Sequence, residues 1–269
     1  AGNSRRSLLY LAIASVTNIV LDLVCVALLD MGVEGAAIAT NVSQLLSCVL
    51  SLGYLMRVNA PYRVVWRELR IDGRMAGNII RIGLPTGIQN MVISLSNAVV
   101  QSSVNAFGSD AMAGFGAYMK IDGFNILPVL SLSLAMTTFT GQNLGAGKVE
   151  RVKKGMRVTL AMGLGYTLAT GALLLVFSAP LMRLFTDNTA AVEYGQLAMR
   201  YFCPFYFILG VMHILAGTVR GAGKSIPPMV IMLVSLCVVR IAWLKLVAPL
   251  YGTIDGVFIA YPITWAVGM

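Results

Sequence analysis

Apolar residues in this chain collect into long runs separated by short polar turns. Eight such segments can be drawn, roughly 7–29, 33–56, 84–106, 111–138, 157–179, 195–217, 227–248 and 253–269. Most reach the ~20 residues a helix needs to cross the hydrocarbon of a bilayer, the last being the shortest. Without water, the backbone must satisfy its own hydrogen bonds, so each run is predicted to be an α-helix. Pro85, Pro128 and Pro204 fall inside these runs, which spans tolerate because neighbouring helices or water satisfy the freed groups. The expected fold is all-α: a polytopic membrane helical bundle of about eight spans.

Composition agrees. With 58% hydrophobic and 12% charged residues, and a mean hydropathy of +0.80, the chain is not a soluble globular domain. A formal charge of +9 would suggest a nucleic-acid partner in a soluble protein, but here the cations follow the topology. Arg5 and Arg6 precede the first run, and six arginines from Arg57 to Arg81 separate the second from the third. Lys148, Arg151, Lys153, Lys154 and Arg157 separate the fourth from the fifth, and Arg220 and Lys224 the sixth from the seventh. The alternate connections carry Asp30, Asp110, Asp187 and Glu193. The positive-inside rule therefore predicts a cytoplasmic N-terminus and cytoplasmic basic loops. Lipid is the expected surroundings and no nucleic-acid partner is expected. Within loop 57–81, the segment 64–70 mixes apolar and basic residues as a surface-lying helix does.

Enzymatic readings find little support. Cys25, Cys48, Cys203 and Cys237 all lie in apolar runs without CxxC spacing, and His213 is the lone histidine. No resident metal or cofactor is expected. No nucleophile–base pair or carboxylate pair has catalytic spacing, so no enzyme is expected. Two glycine–lysine stretches, Gly141–Lys148 and Thr218–Ser225, tempt a phosphate-loop reading. The first has Gln142 and Val149, and the second Thr218, where such a loop needs glycine or a hydroxyl. They read instead as tight turns where glycine ends helices.

Polar residues inside the runs are the candidate chemistry. Asp22 is the only charge within 7–29, and Asn18 lies four residues earlier on the same helical face. Thr40 in the next run could add a hydroxyl. A carboxylate at membrane depth has either a partner or a function, so this nest is either a proton or monovalent-cation site or a hydrogen-bonded joint between helices. The third run is unusually polar, with Gln89, Asn90, Ser94, Ser96, Asn97 and Gln101, and suits a cavity wall or close helix packing. Tyr118, Lys120 and Asp122 precede Pro128, and a bent helix could present them to a cavity with His213 from the sixth run. With Gln89 and Asn97, these residues form the candidate substrate cavity; the alternative is that each pairs with a neighbouring helix for stability, with His213 as hydrogen-bonded scaffold.

An internal repeat sets the architecture. Gly32-Val-Glu34-Gly35-Ala-Ala-Ile38-Ala39 aligns, with one insertion, to Gly252-Thr-Ile-Asp255-Gly256-Val-Phe-Ile259-Ala260. If the last two helices repeat the first two, residues 82–269 form one six-helix lobe, with the last helix truncated. Residues 1–56 are then the end of an earlier lobe and 57–81 a cytoplasmic linker. A parallel repeat of this kind is found in secondary transporters. The expected whole has twelve helices in two lobes, of which four would precede this chain.

Several of these stretches together resemble one family. Gly83-Leu-Pro85, Gly141-Gln-Asn-Leu-Gly-Ala-Gly147, Arg220-Gly-Ala-Gly223 and Asn18-Ile-x-Leu-Asp22 occur in order and resemble the MATE family of multidrug and toxin extrusion transporters, in particular bacterial members. The resemblance implies a monomeric, multi-pass antiporter of the bacterial inner membrane. It would expel cationic or amphipathic drugs against inward protons or sodium. It also implies that Asn18, Asp22 and Thr40 belong to a cation site in the first lobe, and that an Asp on an absent first helix would complete it. Acids that some members carry in the second lobe are missing from 89–93 and 208–211. Two other readings remain: a flippase for lipid-linked oligosaccharides or polysaccharides, served by a cavity lined by Arg200, Arg240 and Lys120, and a non-transporting scaffold or channel subunit.

Overall fold

The computed structural model describes residues 4–60 and 62–269, and among these every regular element is helical. The chain divides into two compact units, Ala1–Gly73 and Arg74–Met269.

The first unit is a helical hairpin. Helix α1, Ser4–Asp22, passes into a single π-turn segment, Leu23–Leu28, before α2, Gly32–Arg57. The turn between them uses left-handed backbone at Asp30 (φ 51°) and Gly32 (φ 54°). The Tyr10 ring packs at a tilt against Tyr54, with ring centroids 6.4 Å apart. At the other end, a side chain on Gly35 would crowd Cys25. These two contacts fix an antiparallel register in which small residues of α2 meet α1 closely, as helices in lipid do. The connection after α2 departs from the surface helix expected over 64–70. Only one 3₁₀ turn forms, Trp66–Glu68, because Arg63 Nε donates to the Met56 carbonyl and Trp66 Nε1 to Met56 Sδ. The chain is thereby tied back to the end of α2.

The second unit opens with α3, Gly73–Asn105, which begins well before the apolar run and so carries Arg74 and Arg81 on its first turns. Next come α4, Ser109–Gly145, and α5, Val149–Val176. At 37 residues α4 is about 55 Å long, longer than the hydrocarbon is thick. Short α6, Ser178–Arg183, leads to α7, Thr189–Phe202, and α8, Tyr206–Gly221. Then α9, Ile226–Leu233, a second π segment at Val234–Val239, and α10, Arg240–Leu246, form one rod. The chain closes with α11, Ala248–Tyr251, α12, Asp255–Phe258, and α13, Ala260–Gly268. Among the described residues, six helical rods are long and apolar enough to cross a membrane. The polar side chains of α3 and the brevity of α12 and α13 keep the other two predicted runs out of that set.

Small residues let α4 and α8 touch. A side chain added at Gly217 would overlap the Ser133 carbonyl, and one at Gly221 the Thr137 carbonyl. Hydrogen bonds exploit the closeness: Ser133 Oγ donates to the His213 carbonyl (2.6 Å) and Thr137 Oγ1 to the Gly217 carbonyl (3.0 Å). Both glycine–lysine stretches are helix ends, with Gly147 and Gly223 at φ 71° and 80°. Lys148 N–H closes the α4 terminus on the Asn143 carbonyl.

Candidate functional site

Each unit holds its own set of polar side chains at membrane depth. In the first, Ala14, Asn18 and Asp22 of α1 and Cys25 of the π segment follow one another along the face that packs on α2. Ala14 and Cys25 are buried and the two polar residues half-buried. The register places Asn18 and Asp22 near the levels of Ser43 and Ala39, both buried on α2. Asn18 Nδ2 and Asp22 Oδ1 are enclosed yet have no hydrogen-bond partner. Asp22 is the last residue before the π segment, where the i→i−4 ladder is interrupted; such bulges frequently occur at functional sites. Thr40 does not join the pair. It is exposed and its hydroxyl donates to the Ala36 carbonyl (2.9 Å). The hydroxyl that α2 does turn inward is that of Ser43, which donates to the Ala39 carbonyl.

In the second unit, Tyr206 Oη donates to Asp122 Oδ1 (2.7 Å) and lies 2.8 Å from Tyr118 Oη. One turn of α4 brings Tyr118 over Asp122, and α8 supplies Tyr206. Aromatic rings of Phe202, Tyr261 and Trp265 pack around this chain of hydroxyls. Farther along, Arg240 is only 2% exposed. Its guanidinium donates to Thr264 Oγ1 (2.9 Å) and Asn97 Oδ1 (3.4 Å) and stacks 4.4 Å over the Tyr261 ring. No carboxylate pairs with it among the described residues. A third group joins Gln89, whose Nε2 donates to Met232 Sδ and whose Oε1 accepts from Arg220 (3.4 Å), while Arg220 also donates to Ser133 Oγ.

The expected substrate-cavity set is therefore dispersed. Tyr118 and Asp122 are joined through Tyr206. Gln89 and Asn97 lie on the polar face of α3, which bonds to the rod 226–246 through side chains; Ser96 Oγ donates to the Leu236 carbonyl there. His213 contributes its carbonyl to the α4–α8 seam. Lys120 departs from the expectation altogether: it is exposed and stands 5.7 Å from the Phe185 ring, because two residues on a helix point to different sides. Sequence reasoning did not find Tyr206 and Thr264. Tyr206 lies 84 residues from Asp122 and Thr264 lies 24 from Arg240, and neither pairing follows a helical period. Among the described residues no three His, Cys, Asp or Glu side chains gather in a metal-binding cluster.

Comparison with known proteins places these features in context. The MatE family model matches residues 85–244. The probable multidrug resistance protein YpnP of Bacillus subtilis is 30% identical over 89% of this chain and 53% of its own length. The FAD transporter of Shewanella oneidensis is 29% identical over 98% of this chain and 59% of its own. The chain spans about half the length of the curated relatives it matches. Among solved structures, a MOP superfamily transporter from Pyrococcus furiosus superposes with a TM-score of 0.89 at 23% identity, over 99% of this chain and 60% of that one.

Proposed function

The chain belongs to the MatE family of membrane transporters, and from that footing we propose that it forms part of a secondary efflux antiporter. The exported compounds are small organic cations or amphipathic drugs, and the inward ion is a proton or sodium. Asn18, Asp22 and Thr40 were the residues expected to hold that ion; the reading kept here rests on Asn18 and Asp22. The observation that carries it is the enclosed, unpartnered pair of Asn18 Nδ2 and Asp22 Oδ1 beside an interrupted helix. A carboxylate there binds a proton unaided, whereas a metal cation needs further oxygens. The Asn18 amide, turned over, offers one.

The coupling follows from linkage. Neutralising Asp22 removes a charge from a low-dielectric face and shifts the balance between arrangements of its hairpin. A drug that favours the ionised arrangement is released when the ion binds, and the ion when the drug binds. In this proposal the protein works as a monomer in a bacterial plasma membrane, with its basic loops cytoplasmic by the positive-inside rule. The flippase reading loses its support because Lys120 faces Phe185, Arg240 is engaged with Thr264, and Arg200 borders a cavity with Asp110 and Glu193. These cations do not converge.

Everted vesicles containing the full-length protein and a fluorescent cationic dye test the proposal. Dye movement should follow an imposed proton or sodium gradient and disappear in Asp22→Asn with insertion intact. Gradient-driven movement that persists in that variant would remove Asp22 from the mechanism. Because one relative carries FAD, the same vesicles are assayed with FAD. Movement of FAD and not of the dye would overturn the cationic substrate class.

A further inference from the structure

A groove of about 600 Å³ runs between α4 and α5 at their basic ends, apart from every polar cluster described above. Its wall and floor are mostly apolar: Leu132, Met136 and Phe139 from α4, and Val158 and Met162 from α5, with the Thr159 hydroxyl turned onto Met136 Sδ at 3.2 Å. Arg151 and Lys154 stand at one end. Gly155 lets the Phe139 ring lie directly on α5 as one wall of the groove, since a side chain at that position would overlap the ring.

The helix α5 sorts its residues along this groove. Arg151, Lys154, Gly155, Val158 and Met162 form one stripe at helical spacing. The stripe changes from cationic to apolar at Val158, and no charge follows through Val176. On α4 no charge occurs from Gly123 to Gly145. The groove thus straddles the level where headgroups give way to hydrocarbon. Lys153 is on another side of α5, held by Glu150 at 2.8 Å. Arg151 and Lys154 have no acidic partner among the described residues.

We propose that this groove is a binding site for one anionic phospholipid, its phosphodiester on Arg151 and Lys154 and one acyl chain along Met136, Val158 and Met162. The charge pattern selects the occupant. A soluble anion gains nothing from the apolar floor, and a zwitterionic lipid brings a second charge that the two cations repel. A protein partner would have to enter the bilayer to reach Met162. Each basic side chain near a membrane surface contributes a favourable attraction to anionic lipid, and the apolar channel adds burial of the chain. The site would act as a fixed lipid clamp on the α4–α5 pair.

The test measures retention of phosphatidylglycerol by the full-length protein in detergent, using native mass spectrometry. Wild type should hold one lipid tightly, and R151Q/K154Q should weaken that binding on the order of tenfold. The variant K153Q/R157Q removes the same charge from the helix outside the groove and should retain the lipid. Glycerol 3-phosphate, which carries the anion without chains, should fail to displace it. Equal weakening in both double variants, or displacement by glycerol 3-phosphate, would overturn the proposal in favour of diffuse charge attraction. Should R151Q/K154Q not fold, Val158→Trp carries the test, because it keeps both cations and fills the floor. Undiminished lipid binding in a folded Val158→Trp protein would equally overturn it. None of these outcomes depends on whether the protein exports drugs.

Discussion

Asp122 and Asp22 show how differently two intramembrane carboxylates can be treated. Asp122 accepts a 2.7 Å hydrogen bond from Tyr206, whereas Asp22 Oδ1 is enclosed with none. Removing the Tyr206 hydroxyl deprives a carboxylate in low-dielectric surroundings of a charge-assisted bond. Tyr206→Phe should therefore lower stability by about 2 kcal/mol, read as a fall in thermal midpoint in detergent. Asp122→Asn should lower it less, because the amide oxygen still accepts. An unchanged midpoint in Tyr206→Phe would show that the bond contributes nothing net. At Arg240 the logic reverses, since the cation is satisfied by Thr264, Asn97 and the Tyr261 face. Thr264→Val leaves a buried guanidinium donor unpaired, and should destabilise by roughly 1–3 kcal/mol in the same measurement. Of these residues Asp22 and Asn18 were legible from the sequence, being four apart on one apolar helix. Tyr206 and Thr264 were not, because their partners come from other elements.

Among the elements, the α4–α8 seam has the least tolerance. Gly217 and Gly221 stand against the carbonyls of Ser133 and Thr137, so a larger side chain must push the helices apart or bend one. Gly217→Leu should cost on the order of 3 kcal/mol or prevent folding, seen as loss of a monodisperse elution peak. Gly116 on the same α4 has nothing within 4 Å, and Gly116→Ala should be neutral or slightly stabilising because alanine favours the helix. Similar losses from both variants would mean that helix propensity rather than the seam sets the cost. The spans themselves were visible as apolar runs, and the glycine–lysine stretches as helix ends. The segment 64–70 was misread because its alternation of apolar and basic residues resembles an amphipathic helix. A local bond network with Met56 holds it otherwise.

For the whole molecule, the charge distribution predicts a topology that labelling can check. In a background lacking Cys25, Cys48, Cys203 and Cys237, a cysteine at Lys148 should react with a membrane-impermeant maleimide only in everted vesicles. One at Asp187 should react only in intact cells. The reverse pattern would invert the membrane orientation argued from the arginine- and lysine-rich loops.

The sequence alone determined that this is a multi-pass α-helical membrane protein of the MATE type. Hydrocarbon admits only runs of apolar residues with self-satisfied backbones, and those runs are written in linear order. The same linear rule exposed Asp22, since one charge in such a run stands out. Tertiary structure decided which polar residues meet. The hydroxyls of Tyr118 and Tyr206 gather at Asp122, Arg240 bonds to Asn97 of α3, and Lys120 is sent to Phe185 rather than to Asp122. These pairings depend on the rotation and approach of whole helices, which small residues at Gly217 and Gly221 permit. Helical period constrains only neighbours three or four residues apart, so contacts between distant segments become known only once the helices have packed.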